Sequence, residues 1–197
     1  AGREVGKFSI EQGMMDNTNN PMDIAINGDG YFVVQPKNGI PALSRRGDLQ
    51  VNENGDLLDG QGNQILDAGM QPIVVPAFNK INISSQGEIL IQPFGAEPGA
   101  LPVNVANIAT YVPDGENTLK KSLDGHIRFA EIVNANGEAE NIPIEPNQQG
   151  KIASGFLEKS NVNPIEEMVN TIDQMRKFEM HVKLIQMIFL MELKILK

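Results

Sequence analysis

Gly155-Phe156-Leu157-Glu158-Lys159-Ser160-Asn161-Val162-Asn163-Pro164-Ile165-Glu166-Glu167-Met168 joins two stretches of different grammar. All 19 glycines of the 197-residue chain lie at or before Gly155, and the 33 residues after Pro164 contain neither Gly nor Pro. Upstream, turn formers interrupt every window long enough for a helix. Downstream, nothing interrupts one. The junction therefore predicts a mainly β chain, with an antiparallel β body and a long C-terminal α-helix.

The helix start is well marked. Asn163 is a good N-cap, Pro164 suits the first helical position, and Glu166 stands where a capping box places an acid. Ile165, Met168, Val169, Ile172 and Met175 then form an apolar stripe on one face, so a helix is expected from Pro164 to about Val182. From Leu184 onward the pattern changes. Leu184, Ile185, Met187 to Met191, Leu193, Ile195 and Leu196 put apolar side chains all round the helix, and such a helix needs cover from partners.

Working back from the junction, Asn-Gly occurs at 27–28, 38–39, 54–55 and 136–137, and Asp-Gly at 29–30, 59–60, 114–115 and 124–125. These dipeptides favour tight hairpin turns. Strand-length apolar runs lie between them, among them Met22 to Ile26, Tyr31 to Val34, Ile81 to Ile83, Glu88 to Ile91 and Val103 to Tyr111. Turn signals every ~8–12 residues are the rhythm of an antiparallel all-β domain. Ile24, Ile26, Phe32, Val34, Leu57, Ile65, Ile89 and Ile91 are expected in its core. The loops Gly95 to Pro102 and Pro143 to Gly150 either bracket a subdomain over 95–150 or are long hairpin connections.

Charge follows the same division. Residues 160–197 carry five basic and five acidic residues, so the net charge of −9 lies entirely in residues 1–159. An acidic body argues against nucleic acid, which requires a cationic footprint. With no Cys, disulfides, thiol catalysis and Cys-based zinc sites are excluded. The longest apolar run, Met187 to Met191, falls far short of the ~18–20 residues that insert in a membrane. Residues 1–9 contain no apolar core of a signal peptide.

No catalytic motif emerges. His126 and His181 stand 55 residues apart, without metal-ligand spacing. Gly28-Asp29-Gly30 begins like a dinucleotide fingerprint, but it lacks the third glycine and precedes a strand. Asn52 to Asp56 resembles a calcium loop whose glycine is misplaced, and a hairpin turn accounts for it better. Arg45-Arg46 can grip an anion, yet a solvated pair at a strand end is the expectation. The chain is read as a non-enzyme without cofactor, metal or small-molecule substrate.

Three blocks carry a family resemblance. Asn20 to Phe32 (Asn-Pro-Met-Asp-Ile-Ala-Ile-Asn-Gly-Asp-Gly-Tyr-Phe) resembles the hallmark segment of flagellar basal-body rod and hook proteins. Ser44 to Leu49, Val51 to Leu58 and Gly62 to Leu66 resemble the strands that follow it, and Gly155 to Asn163 with Glu166-Glu167-Met168 resembles the C-terminal assembly motif. The proximal-rod members are nearest, with the distal-rod and hook members as alternatives.

The resemblance implies a structural subunit of the bacterial rod. Such a subunit is exported by the flagellar type III apparatus without a cleaved signal, and stacks in the periplasm with itself and other rod subunits. Terminal helices pack as an inner tube with the β body outside. The implied assembly interface is Ser160, Asn161, Val162, Asn163, Ile165, Met168, Val169, Ile172 and Met175, with a homo-oligomer through the C-terminal helix. Residues 1–19 are expected to be a linker remnant after a missing N-terminal helix, residues 20–159 the rod-protein body, and residues 160–197 the assembly helix. Beyond about Lys183 the Ile-, Leu-, Met- and Lys-rich tail leaves the family pattern, as an altered reading frame would make it. Outside this family, the competing reading is a non-catalytic β domain that binds cell-wall glycan. That requires exposed aromatics, and the chain has only Tyr31, Tyr111 and eight Phe.

Overall fold

The computed structural model describes residues 12–159, 180 and 182–195. The chain divides into two compact units, Ala1–Lys159 and Ser160–Lys197. In the first unit all the paired strands are antiparallel. In the second, residues 182–195 are α-helical. This is the mainly β body followed by a C-terminal helix.

The strand Tyr31–Gln35 organises the body. It pairs with Ala42–Ser44 on one side, and with Gln64–Ile65 and Thr110–Tyr111 on the other. Successive side chains on a strand point to opposite faces. Phe32 and Val34 therefore enter one core with Ile24, Ile26, Leu57, Ile65, Ile89 and Ile91. Tyr31 and Val33 enter a second core with Leu43, Leu66, Tyr111, Ile127 and Phe129. A strand covered on both faces reads as an unbroken apolar run, as this one does. In the second core Tyr111 and Phe129 meet edge to face, their ring centroids 5.5 Å apart.

All eight residues expected in the core are buried, and all belong to the first cluster. The three-stranded sheet Phe78–Ile83, Glu88–Pro93 and Val103–Asn107 supplies part of that cluster. There Ile81, Ile83, Ile89 and Ile91 face inward while Lys80, Asn82 and Glu88 face water. Thr110–Tyr111 and Ile127–Phe129 belong to the large sheet, so the 95–150 stretch is woven into the body.

Five turns share one device. In the loops starting at Asn52, Asp59, Asp67, Ser84 and Asn134, the first side-chain oxygen accepts N–H bonds from the second and fourth residues after it. The residue three positions on has positive φ: Gly55, Gly62, Met70, Gly87 and Gly137. This is the three-residue hairpin loop with a left-handed final position. At Asn52 the carboxamide oxygen is thus engaged by the N–H groups of Asn54 and Asp56 at 2.9 Å each, which is a hairpin geometry.

The segment Asn27 to Gly30 differs from the tight hairpin expected there. Ile24–Asn27 pairs with Lys151–Ser154, whereas Tyr31–Gln35 lies in the large sheet. Gly28 (φ 90°) and Gly30 (φ 128°) turn a corner between sheets. These two positive-φ glycines re-aim the chain without reversing it onto itself.

A strap over residues 147–150 closes the outer edge of Thr110–Tyr111 with side-chain amides. Gln148 Oε1 accepts from Thr110 N–H at 2.9 Å and its Nε2 donates to the Ile108 carbonyl at 3.0 Å. Asn147 likewise accepts from Val112 N–H at 3.0 Å and donates to the Val112 carbonyl at 2.8 Å. The two amides replace a neighbouring strand and leave no open edge there.

Candidate functional site

The chain enters and leaves the body at one place. Met15–Asn17 pairs with Phe156–Glu158, in the register Met15 to Glu158, Asp16 to Leu157 and Asn17 to Phe156. Backbone bonds extend the ladder at both ends: Thr18 N–H to the Gly155 carbonyl and Lys159 N–H to the Met14 carbonyl, each 2.8 Å. At Gly13 a Cβ would collide with the Lys159 carbonyl, so only glycine allows this approach.

A two-stranded ladder is marginal in water by itself, and this one places none of its own side chains in the core. A part-buried polar clasp holds it instead. Glu158 accepts from Arg45 Nε at 2.6 Å and from Gly13 N–H at 2.7 Å. Arg45 also donates to carbonyls of the corner, from Nη1 to Gly30 at 2.8 Å and Gly28 at 3.1 Å and from Nη2 to Ile26 at 3.3 Å. The two side chains are only 12% and 10% exposed, so water screens the pair little. Arg45 is therefore not the solvated residue expected from the sequence. Its planar fork is the one side chain that can bridge a carboxylate to three carbonyls. Arg46, its neighbour, is the exposed one and pairs with Asp48 at 2.7 Å. Burial pushes the nearby Tyr31 hydroxyl above its ordinary pKa, and the Arg45 charge opposes that shift.

The second feature is the helix over 182–195. Its residues are all exposed, including Ile185, Met187, Phe189, Leu190, Met191 and Ile195. Among the described residues no helix is long and apolar enough to cross a membrane. The expected interface residues Ser160, Asn161, Val162, Asn163, Ile165, Met168, Val169, Ile172 and Met175 lie outside the described residues. So does the expected N-cap geometry.

The one histidine of the body sits between two hairpins. His126 Nε2 faces Asn63 Nδ2 at 3.3 Å, and its Nδ1 is 3.4 Å from Asp124. Asn63 Nδ2 also donates to Asp59 at 3.1 Å, which makes Nε2 the acceptor and leaves the ring proton on Nδ1. The hydrogen bond from Arg128 holds the Asp124 carboxyl well below its ordinary pKa. Among the described residues, no group of three or more His, Asp or Glu side chains is arranged to hold a metal ion.

Comparison with known proteins places this geometry. Residues 25–91 match the family model described as flagellar hook protein FlgE/F/G D1 domain, and residues 153–196 match flagellar basal body rod FlgEFG protein C-terminal. Flagellar basal-body rod protein FlgF of Salmonella typhimurium is 34% identical over 175 residues, spanning 88% of this chain and 66% of that protein. The chain belongs to the flagellar basal-body rod protein family. FlgF of Mesorhizobium japonicum is 34% identical over 176 residues, covering 87% of this chain and 64% of the relative. Rod protein FlgG of Buchnera aphidicola subsp. Baizongia pistaciae is 32% identical over 178 residues, covering 88% and 64%. The chain thus spans slightly under two thirds of the length of these rod-family relatives.

The rod-family match to the C-terminal region continues to residue 196, past Lys183, where the sequence alone suggested a departure from the pattern. Arg45 lies in the first matched block and Glu158 in the second, so the clasp joins the two. Both residues stand in runs the sequence singles out, Ser44 to Leu49 and Gly155 to Asn163. Nothing in either run identifies the other as its partner.

Proposed function

We propose that the chain is a structural subunit of the bacterial flagellar basal-body rod, stacking with itself and with other rod subunits to transmit torque, and not an enzyme. The observation that carries this reading is the ladder of Met15–Asn17 with Phe156–Glu158. It brings both ends of a closed β body out at one point, the arrangement a subunit needs if its terminal segments assemble and its body decorates the outside. Family membership and the apolar helix over 182–195 support it. In this reading 20–159 is the body and 160–197 the assembly helix, and of the 1–19 stretch expected to be a linker the strand Met15–Asn17 belongs to the body through its ladder. Ser160 to Asn163 and the stripe Ile165, Met168, Val169, Ile172 and Met175 form the interface. The subunit belongs to the periplasmic part of the rod, reaches it without a cleaved signal peptide, and uses no cofactor.

Electron microscopy of the purified chain mixed with other rod subunits tests the proposal. Ordered tubular or stacked assemblies that disappear when residues 160–197 are deleted are expected. Assemblies that persist without those residues, or failure of the full chain to join any, would refute it.

A further inference from the structure

We propose that Arg45 and Glu158 are a positioning pair for assembly: they touch no partner, and they hold together the two points at which the chain enters and leaves the body. The inference rests on the assembly reading above. The ladder they hold is short and exposed, and its other cross-strand charge pair, Lys159 with Asp16 at 3.1 Å, is about 60% exposed on both sides. Such exposed pairs add little. The clasp is different in kind. Glu158 sits on the last strand, two residues before the second unit begins. Its carboxylate is reached from the first described residues by Gly13 N–H, and from the middle of the chain by Arg45. Arg45 in turn is fixed to the Ile26, Gly28 and Gly30 carbonyls, on the corner that links the two sheets. One carboxylate thereby ties three distant segments, while the two cores consist of other residues. Losing it opens the ladder and leaves the cores in place.

The absence of Cys in the chain provides the test. Asn17→Cys with Phe156→Cys, which are Cα partners in the ladder and leave both charge pairs in place, forms a disulfide reporter of ladder closure. The reporter is placed in the full chain, alone and with Glu158→Gln, Arg45→Lys or Lys159→Ala. Disulfide formation rate, far-UV circular dichroism and sedimentation velocity are measured for each. Glu158→Gln and Arg45→Lys are expected to keep the β signal and cooperative melting, to slow trapping at least about tenfold, and to weaken self-association by a similar factor, because each removes a part-buried charge-assisted contact. Lys159→Ala is expected to match the parent.

Unchanged trapping in Glu158→Gln overturns the proposal. So does an open ladder with undiminished association, or loss of the β signal in both clasp variants, which would make the pair a core stabiliser. A parent that stays monomeric refutes the assembly reading and with it the assembly role of the pair. The trapping rates then still decide whether the pair holds the ladder.

Discussion

Replacing Gln148 by alanine removes two hydrogen bonds made to buried backbone. Thr110 is 1% exposed and Ile108 is fully buried, so the Thr110 N–H and the Ile108 carbonyl are left without the partners that Gln148 supplies. Each orphaned buried group costs ~1–3 kcal/mol, giving a total of about 2–6 kcal/mol. For a chain of this size that is a fall in Tm of about 2–4 °C per kcal/mol. Gln148→Glu separates the two bonds. Its carboxylate still accepts from Thr110 N–H, but the second oxygen faces the Ile108 carbonyl, to which only the protonated acid donates. The folded state therefore raises the pKa of this glutamate above its unfolded value of ~4.3. The stability associated with it is fully present below that value and is lost as pH rises through the folded value. Urea unfolding followed by circular dichroism at pH 4 and pH 7 measures both effects, each variant referred to the parent at the same pH. Gln148→Ala within about 0.5 kcal/mol of the parent, or Gln148→Glu with no relative gain in acid, would refute the surrogate-strand account.

Three further outcomes are expected. Phe32→Ala, at the centre of the first core and 1% exposed, should cost about 3–5 kcal/mol in denaturant unfolding. Gly47→Ala places a methyl against the Ile24 carbonyl, a backbone atom that cannot swing aside, and should cost about 1–3 kcal/mol, read as a lowered Tm. Arg128 holds the Asp124 carboxyl below its unfolded value, so its contribution is present above about pH 4 and drains away as pH falls further. Asp124→Asn should flatten the acid limb of the stability–pH curve, by a modest amount because the side chain is 38% exposed.

Local grammar made much of the body readable. Ile81, Ile83, Ile89 and Ile91 alternate with polar residues, and period two alone assigns their inward face. Tyr31 to Val34 offers no such alternation. The sequence marks it as a strand but gives no hint that it divides two cores. Turns were readable wherever glycine marks the left-handed position. At Met70 (φ 62°) no glycine is present, and the only signal is the Asp67 acceptor three residues earlier. The corner at Gly28 to Gly30 looks like a hairpin because dipeptide chemistry reports the local bend and not the strand that pairs next. Long-range polar contacts were the least readable. Arg45 and Glu158 are 113 residues apart, Gly13 and Glu158 145, and neither separation leaves a periodic trace. The amide strap is hidden for the same reason, since Asn147-Gln148 reads as an ordinary polar loop.

The central claim is that the body is a passenger and that residues 160–197 assemble. Sedimentation velocity across a concentration series, on the parent and on Ile172→Glu with Met175→Glu, tests it most directly. Each apolar side chain of the stripe is worth ~1.5–3 kcal/mol when covered. The account predicts concentration-dependent association of the parent, and a variant that stays monomeric with the far-UV β signal of the body unchanged. A variant that sediments like the parent, or a parent that remains monomeric at every concentration, would contradict it.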